Sequence, residues 1–326
     1  MISLKVFKKA RSGFRLIINR FRKKWKKWYG KKRIEYLGGF YTSDGVKKYI
    51  GPKKGNYKIK NKLKCEKELM VSRHGRYEIR TLGLKKYKHM WKRESAIKRM
   101  KINAGFFPDK KNLLDRFADE YIKSTEKADV FCAWHFKHGF WKLEERVFRE
   151  NCPDAVLTDI RALEFLWYDD PWTAALRGKK VLVVHPFADT IERQYQKREY
   201  LFPGQNILPE FGKLETLKAV QSAAGNEVPF DTWFDALEYM KEEMAAIDFD
   251  TALIGAGAYG LPLAAHARDL GKQGIQLGGI TQLLFGIMGK RWENRRAADF
   301  MNESWTRPDS HEVPPDAEKV EGGAYW

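Results

Sequence analysis

The stretch DTALIGAGAYGLPLAAHARDLGKQGIQLGG, Asp250 to Gly279, decides how the rest of the chain is read. Thr251 to Ile254 is a short apolar run, and Gly255, Gly257 and Gly260 follow it in G-x-G-x-x-G spacing. From Leu261 to Leu270 apolar residues recur at helical intervals and stop at Gly271, where a glycine suits the left-handed close of a helix. Gly274 to Leu277 is a second apolar run, which completes strand, turn, helix and strand. Glycines at such a turn let a ligand approach the backbone, and the helix behind them offers free N–H groups to an anion. The turn therefore predicts a phosphate site. A nicotinamide cofactor fits it less well, because the acidic residue expected about 20 residues on is missing. Gly278 and Gly279 stand there instead, and the unit lies late in the chain rather than opening the first βαβ unit. The plainer reading is that the glycines only let a helix pack closely on a strand.

Outward from this unit, short apolar runs alternate with helical stretches. Candidate strands are Glu68 to Ser72, Asp129 to Ala133, Lys180 to Val184, Thr251 to Ile254 and Gly274 to Leu277. Candidate helices include Lys110 to Ser124, Leu143 to Arg149, Lys213 to Ala224 and Phe230 to Ala246. Strands spaced by helices predict an α/β domain, a Rossmann-like, mostly parallel sheet with helices on both faces, over residues 67–306. Residues 31–66 read as a connector with turn signals at Gly38-Gly39, Asp44-Gly45 and Gly51-Pro52, and with room for a hairpin. Residues 307–326 read as an irregular tail whose Tyr325 and Trp326 are able to pack back on the body.

Charge separates the first residues from the rest. Residues 1–60 hold 20 Lys/Arg against Glu35 and Asp44, a balance of +18, which leaves +1 for the remainder of a chain whose total is +19. In residues 1–30, Phe14, Ile18, Phe21, Trp25 and Trp28 recur at spacings of 4, 3, 4 and 3, with Phe7 one heptad earlier. Basic residues fill the other faces. This is the pattern of a basic amphipathic helix lying in a membrane interface, attracted to an anionic surface. Docking on the chain's own body and nucleic-acid binding are the competing uses of such an arm. A near-neutral body argues against a nucleic-acid enzyme, so no nucleic-acid partner is expected. Cys65, Cys132 and Cys152 are too few for a disulfide framework or a zinc knuckle and suit a reducing cytoplasm. No apolar run is long enough to span a bilayer, and no secretory h-region follows the basic residues, so the expected location is the inner face of the membrane, peripherally bound.

In an open parallel sheet, ligands bind beyond the carboxyl ends of the strands. The residues there form a coherent set. The first strand leads into SRHGRYE, with Arg73, His74, Arg76 and Glu78, and the second into Trp134, His135 and His138. The third leads into HPFADT, with His185 and Asp189, the fourth into the glycine turn with Tyr259, and the fifth into GGITQ. Arginines and a helix N-terminus suit a diphosphate, a carboxylate suits a divalent cation, and aromatic rings suit a base or sugar. Each has a plainer use. Glu78 fits the first turn of a helix, His135 and His138 lack a third zinc ligand, and His185 suits a hydrogen-bonded core. No G-x-S-x-G elbow and no P-loop sequence is present.

The run IGAGAYGLPLAAHARDLGKQGIQLGG resembles the C-terminal element of GT-D type glycosyltransferases of bacterial surface-glycan gene clusters. MVSRHGRYEIRTL is similar to that family's early strand end, which carries a D-x-E metal motif. The matching triplet here is Arg76-Tyr77-Glu78, so the glutamate is kept and the aspartate is replaced. VLVVHPFADTIERQY, AGAYGLPLAAHA and QLLFGIMGKRWE are also similar to proteins of capsule and O-antigen clusters, and the resemblance covers about residues 68 to 292. It implies a transferase that moves a sugar from a nucleoside diphosphate donor to a glycan or lipid-linked acceptor. Arg73, Arg76, Gly255, Gly257, Tyr259, Gly260, Gly278 and Gly279 would hold the donor, and Glu78 would hold Mn²⁺ or Mg²⁺. Asp189 or His185 would be the general base if the reaction inverts. Two other readings stand beside it: an NAD or FAD oxidoreductase using the same turn, and a non-catalytic nucleotide-sugar or nucleic-acid binding protein.

Overall fold

The computed structural model describes residues 40–41, 48–86, 93–134 and 141–326. The expected arm helix, His135 and His138 lie outside these residues. Seven strands form one sheet: β3 (Leu69–Ser72), β4 (Val130–Ala133), β5 (Val156–Asp159), β6 (Lys180–His185), β7 (Lys213–Lys218), β8 (Thr251–Ile254) and β9 (Gln273–Gln276). Their order is β5-β4-β3-β9-β8-β6-β7, and every pairing is parallel. The expected α/β class is therefore correct. A separate antiparallel pair, β1 (Phe40–Tyr41) and β2 (Lys48–Tyr49), is the hairpin of the connector.

Central strands of a parallel sheet are covered on both faces, so successive residues enter different cores. Val181, Val183, Leu253 and Ile275 face one cluster, while Leu182, Val184, Ala252 and Ile254 face another. The first cluster is covered by α1 (Pro52–Lys64), by the segment joining β5 to β6, and by α6 (Ala188–Tyr195), with residues 277–305. The second is covered by α2 (Arg76–Lys86), α3 (Arg93–Ala104), α4 (Lys111–Thr125), α8 (Trp233–Ala246) and α9 (Gly260–Asp269). Two short helices, α5 (Trp141–Asn151) and α7 (Arg198–Leu201), complete the flanks. Thr232 caps α8 in a reciprocal box with Asp235, which places its start three residues beyond the expected Phe230.

Three sequence readings need correction. Lys213 to Ala224 is not a helix: Lys213–Lys218 is edge strand β7, paired with β6 over six residues. Leu214 and Leu217 share a face in a helix, but in a strand an odd spacing sends them to opposite sheet faces. Leu217 joins one core and Leu214 packs on the other. The connector is also not all linker, since Pro52 occupies the first turn of α1 and Ile59 and Leu63 are fully buried in the main core. Strand β5 was not anticipated at all. Beyond Arg307 the chain runs through turns and two short 3-10 segments, Ser310–Glu312 and Ala317–Lys319, and Tyr325 and Trp326 pack against the core. Among the described residues no helix is long and apolar enough to cross a membrane.

The connections alternate faces at the centre of the sheet. After β6 the chain passes to α6 on the first face, after its neighbour β8 to α9 on the second, and after β9 back to α10 (Thr281–Leu284) on the first. Adjacent strands whose loops part to opposite faces leave a crevice at their carboxyl ends.

Candidate functional site

A cleft of about 500 Å³ opens at that crevice, and residues following all seven strands line it. That volume lies within the usual range for small-molecule sites. Of the expected residues, Arg73, Arg76, Glu78, His185, Gly255, Gly257, Tyr259, Gly278 and Gly279 all line it. Gly260 lies just behind, and Asp189 is not in the lining.

Arg73 is placed at the floor by the end of β3. Its backbone N–H donates to Gln276 Oε1 at 3.2 Å, its Nη2 donates to the His74 carbonyl at 3.3 Å, and its guanidinium lies 5.9 Å from the Trp134 ring centre. Gly278, at φ +64, leaves the room: a Cβ there would collide with Arg73 Nη1. Arg73 Nε is buried and has no hydrogen-bond partner among the described residues. A guanidinium with a desolvated, unused donor calls for an acceptor of its own. Beneath it, His74 is fully buried, hydrogen-bonds Thr125 Oγ1 at 3.0 Å, and is held neutral by burial and then by Arg73, its pKa lowered to about 3.

Glu78 sits in the first turn of α2, where its Oε2 accepts the Tyr77 N–H at 3.1 Å. The carboxyl folds so close over Gly75 that a Cβ there would overlap it. Burial pushes its pKa up, against the opposing pull of nearby N–H groups and Arg73. This donor set does not fit a divalent cation. Position 76, where a second carboxylate would be needed, carries an exposed guanidinium. Among the described residues the group of three or more candidate ligand atoms within 4.8 Å is Asp189, His311 and Glu312, which does not include Glu78. That cluster already has work. Glu312 Oε1 accepts the Asp189 N–H at 2.9 Å, Glu312 also bonds Thr190, and Asp189 Oδ2 meets His311 Nε2 at 2.7 Å. It ties the tail to the start of α6, which explains why Asp189 turns away from the cleft.

His185 is buried and neutral, its pKa lowered to about 3 by burial. Its Nδ1 accepts the Phe187 N–H at 3.0 Å, which leaves the ring proton on Nε2. It is a hydrogen-bond donor rather than a base. The turn after β8 divides its glycines between two uses. A Cβ on Gly255 would stand 2.5 Å from His185 Cδ2 and 2.6 Å from Thr281 Oγ1, and one on Gly260 would stand 3.2 Å from Gln276 Cγ. Those two serve packing, as the plainer reading held. Gly257 differs: it takes φ +54 at the cleft, where its Cβ would approach the Ala104 carbonyl at 3.3 Å. Tyr259 holds the turn from below, stacked 5.0 Å from Trp233 with its hydroxyl 3.0 Å from Ser222 Oγ. Gly279 makes room for the Tyr325 ring, which a Cβ would strike.

Sequence reasoning missed several lining residues. Glu164 follows β5, the strand that was not recognised, and is half-buried at the cleft. Burial, and secondly the Asp159 carboxylate, push its pKa up to about 7. A carboxyl poised near neutrality in a cleft is suited to proton transfer. Arg291, Trp292, Arg295, Glu321, Tyr325 and Trp326 come from segments after β9. Their signal was present in the basic and aromatic residues of GKRWE and the final AYW, but no periodicity could bring those segments to the cleft.

No protein-family model matches the sequence, and no curated protein matches it. Two solved structures are similar to the chain, both of domain of unknown function 1792. One is a selenomethionine-substituted form at 14% identity, and the other, at 16% identity, is described as having a distinct glycosyltransferase fold. Each aligns over 79% of this chain and 96% of its own, with a TM-score of 0.35. A score that low leaves the cleft's own residues to speak for the function.

Proposed function

We propose that the protein is a glycosyltransferase that binds a nucleoside diphosphate sugar in this cleft and transfers the sugar to a glycan or lipid-linked acceptor. The observation that carries the reading is Arg73, whose buried Nε lacks a partner among the described residues at the floor of a cleft walled by all seven strand ends. The diphosphate would lie between Arg73 and the Gly255–Tyr259 turn, with the amino end of α9 behind it and Arg76 at the rim. Charge that develops on the leaving phosphate oxygen is then met by fixed guanidinium and N–H donors. His185 supplies a neutral donor, and Glu164 supplies the proton acceptor for the attacking hydroxyl. Glu78 faces the same anion. A nearby diphosphate pushes the Glu78 pKa further in the direction that burial already sets, so taking up a proton on Glu78 would relieve the repulsion.

Calorimetry with UDP and UDP-sugars tests the reading. Arg73→Gln should weaken UDP binding about tenfold or more, the usual scale for a hydrogen bond to a charged group. Glu78→Gln, which mimics the protonated acid, should bind UDP as well as the wild type, whereas a metal-holding Glu78 would lose its Mn²⁺ response on the same change. Binding of NAD or FAD in preference to UDP would favour the oxidoreductase reading instead.

A further inference from the structure

The cleft's second buried-side guanidinium is already engaged by a carboxylate of the tail. Arg291, in α11 (Lys290–Glu293), lines the cleft and forms an ion pair with Glu321 in which both side chains are about three-quarters buried, at 26% and 24% exposure. Arg291 also donates to the Tyr325 hydroxyl at 3.1 Å and stacks 4.6 Å above that ring. Glu321 meanwhile reaches the opposite rim: Tyr77 OH donates to its Oε1 at 3.5 Å, and its N–H donates to Asn103 Oδ1 at 3.3 Å. One residue therefore bridges the mouth, between α2 and α3 on one side and α11 on the other.

The bridge is held unequally. On the α11 side, residues 324–326 are tied by backbone: Arg291 N–H donates to the Ala324 carbonyl at 3.0 Å, Lys290 N–H to the Trp326 carbonyl at 3.1 Å, and Gln282 Nε2 to the Tyr325 carbonyl at 3.0 Å. On the far side, among the described residues, the two long bonds to Tyr77 and Asn103 hold it. Glu321 itself sits at φ +49, a conformation that strains a residue with a Cβ, and Gly322 and Gly323 follow at φ +73 and +74. The segment is strained at the bridging residue, and the glycine turn just behind it is closed by the Gly323 and Ala324 N–H groups donating to the Val320 carbonyl at 3.1 and 3.4 Å.

Resting on the diphosphate reading above, we propose that Arg291 is a further ligand-binding residue of the cleft, and that the Glu321 carboxylate is its built-in counter-ion, displaced when a phosphate takes the guanidinium. A carboxylate and a phosphate offer arginine the same two-oxygen fork, so one replaces the other without loss of geometry. Leaving Arg291 frees Glu321 from its strongest contact. The two far-rim bonds then break, residues 320–323 swing on the glycine pair, and residues 324–326 stay anchored.

The test uses the full chain with UDP and inorganic pyrophosphate as probes. Affinities are measured by calorimetry for wild type, Glu321→Gln and Arg291→Gln, with hydrogen exchange followed over residues 318–326. Removing the competing carboxylate should tighten UDP several-fold in Glu321→Gln, Arg291→Gln should weaken it, and UDP should raise exchange at 320–323 in the wild type. Melting temperatures identify a misfolded variant, for which Glu321→Ala is substituted. Unchanged or weaker UDP binding in a folded Glu321 variant overturns the counter-ion role, as does added protection of 320–323 by UDP, while the diphosphate reading stands. A wild type that binds neither probe overturns both.

Discussion

Glu164 and His185 stand in one cleft, and burial drives both toward the neutral form. For the carboxyl that means a pKa raised to about 7, and for the imidazole one lowered to about 3. Only the first can exchange a proton near neutral pH. Transfer activity should rise with pH through an apparent pKa near 7, and Glu164→Gln should abolish that limb along with most of the rate. The same residue leaves a mark on stability. Below its ordinary value of 4.5 the acid is protonated folded and unfolded alike. As pH rises toward 7 the unfolded chain releases a proton that the folded chain keeps, so the wild type loses stability relative to Glu164→Gln. The difference levels off above pH 7 at up to about 3 kcal/mol. Denaturant melts of both proteins between pH 4 and 8 measure it. Parallel curves would mean that Glu164 is solvated and unperturbed, and its role as the base would go with them.

At the scale of the element, the glycine turn after β8 was legible from spacing alone, and so was the helix closed by Gly271 at φ +74. What each glycine does was not. Gly255 and Gly260 meet side chains of β6, β9 and α10, contacts set by neighbours far apart in sequence. The two uses separate experimentally. Gly255→Ala drives a Cβ against His185 and Thr281 and should cost about 1 to 3 kcal/mol of stability as overpacking. Gly257→Ala takes a left-handed φ and brings its Cβ to 3.3 Å from the Ala104 carbonyl, which should cost about 1 to 2 kcal/mol but should also crowd a bound diphosphate. Thermal melts with and without UDP distinguish them: the first variant should lose mainly stability, the second mainly the UDP-induced rise. If Gly255→Ala melts like the wild type, its packing role is wrong. Edge strands β5 and β7 stayed hidden for a related reason. A central strand announces itself by an unbroken apolar run, whereas Lys213–Lys218, with Lys213 and Lys218 exposed, is a strand because β6 pairs with it. Missing β5 cost the site Glu164.

For the whole molecule, the distribution of charge is the dominant feature, with +18 in residues 1–60 and +1 in the rest. Part of that charge lies on the body, since α1 exposes Lys53, Lys54 and Lys58 and has no acidic residue in its first turn. The arm of residues 1–30 adds an apolar stripe to its charge, and the two attractions respond differently to salt. Each basic residue near an anionic leaflet contributes up to about 1 kcal/mol, but only within a Debye length that shrinks from about 10 Å at 0.1 M salt to about 3 Å at 1 M. Burial of Phe14, Ile18, Phe21, Trp25 and Trp28 in the interface would persist at high salt, because it depends on apolar area. A lipid-linked acceptor would then be presented at the surface to which the chain is held. We expect the full chain to sediment with vesicles containing phosphatidylserine and to retain a good part of that binding in 1 M salt. Replacing the five stripe residues with Ser, which leaves every charge in place, should abolish the salt-resistant part and spare the salt-sensitive part. Binding that disappears entirely in 1 M salt in the wild type, or is unchanged in the Ser variant, would reduce the arm to a purely electrostatic contact and remove the interfacial helix.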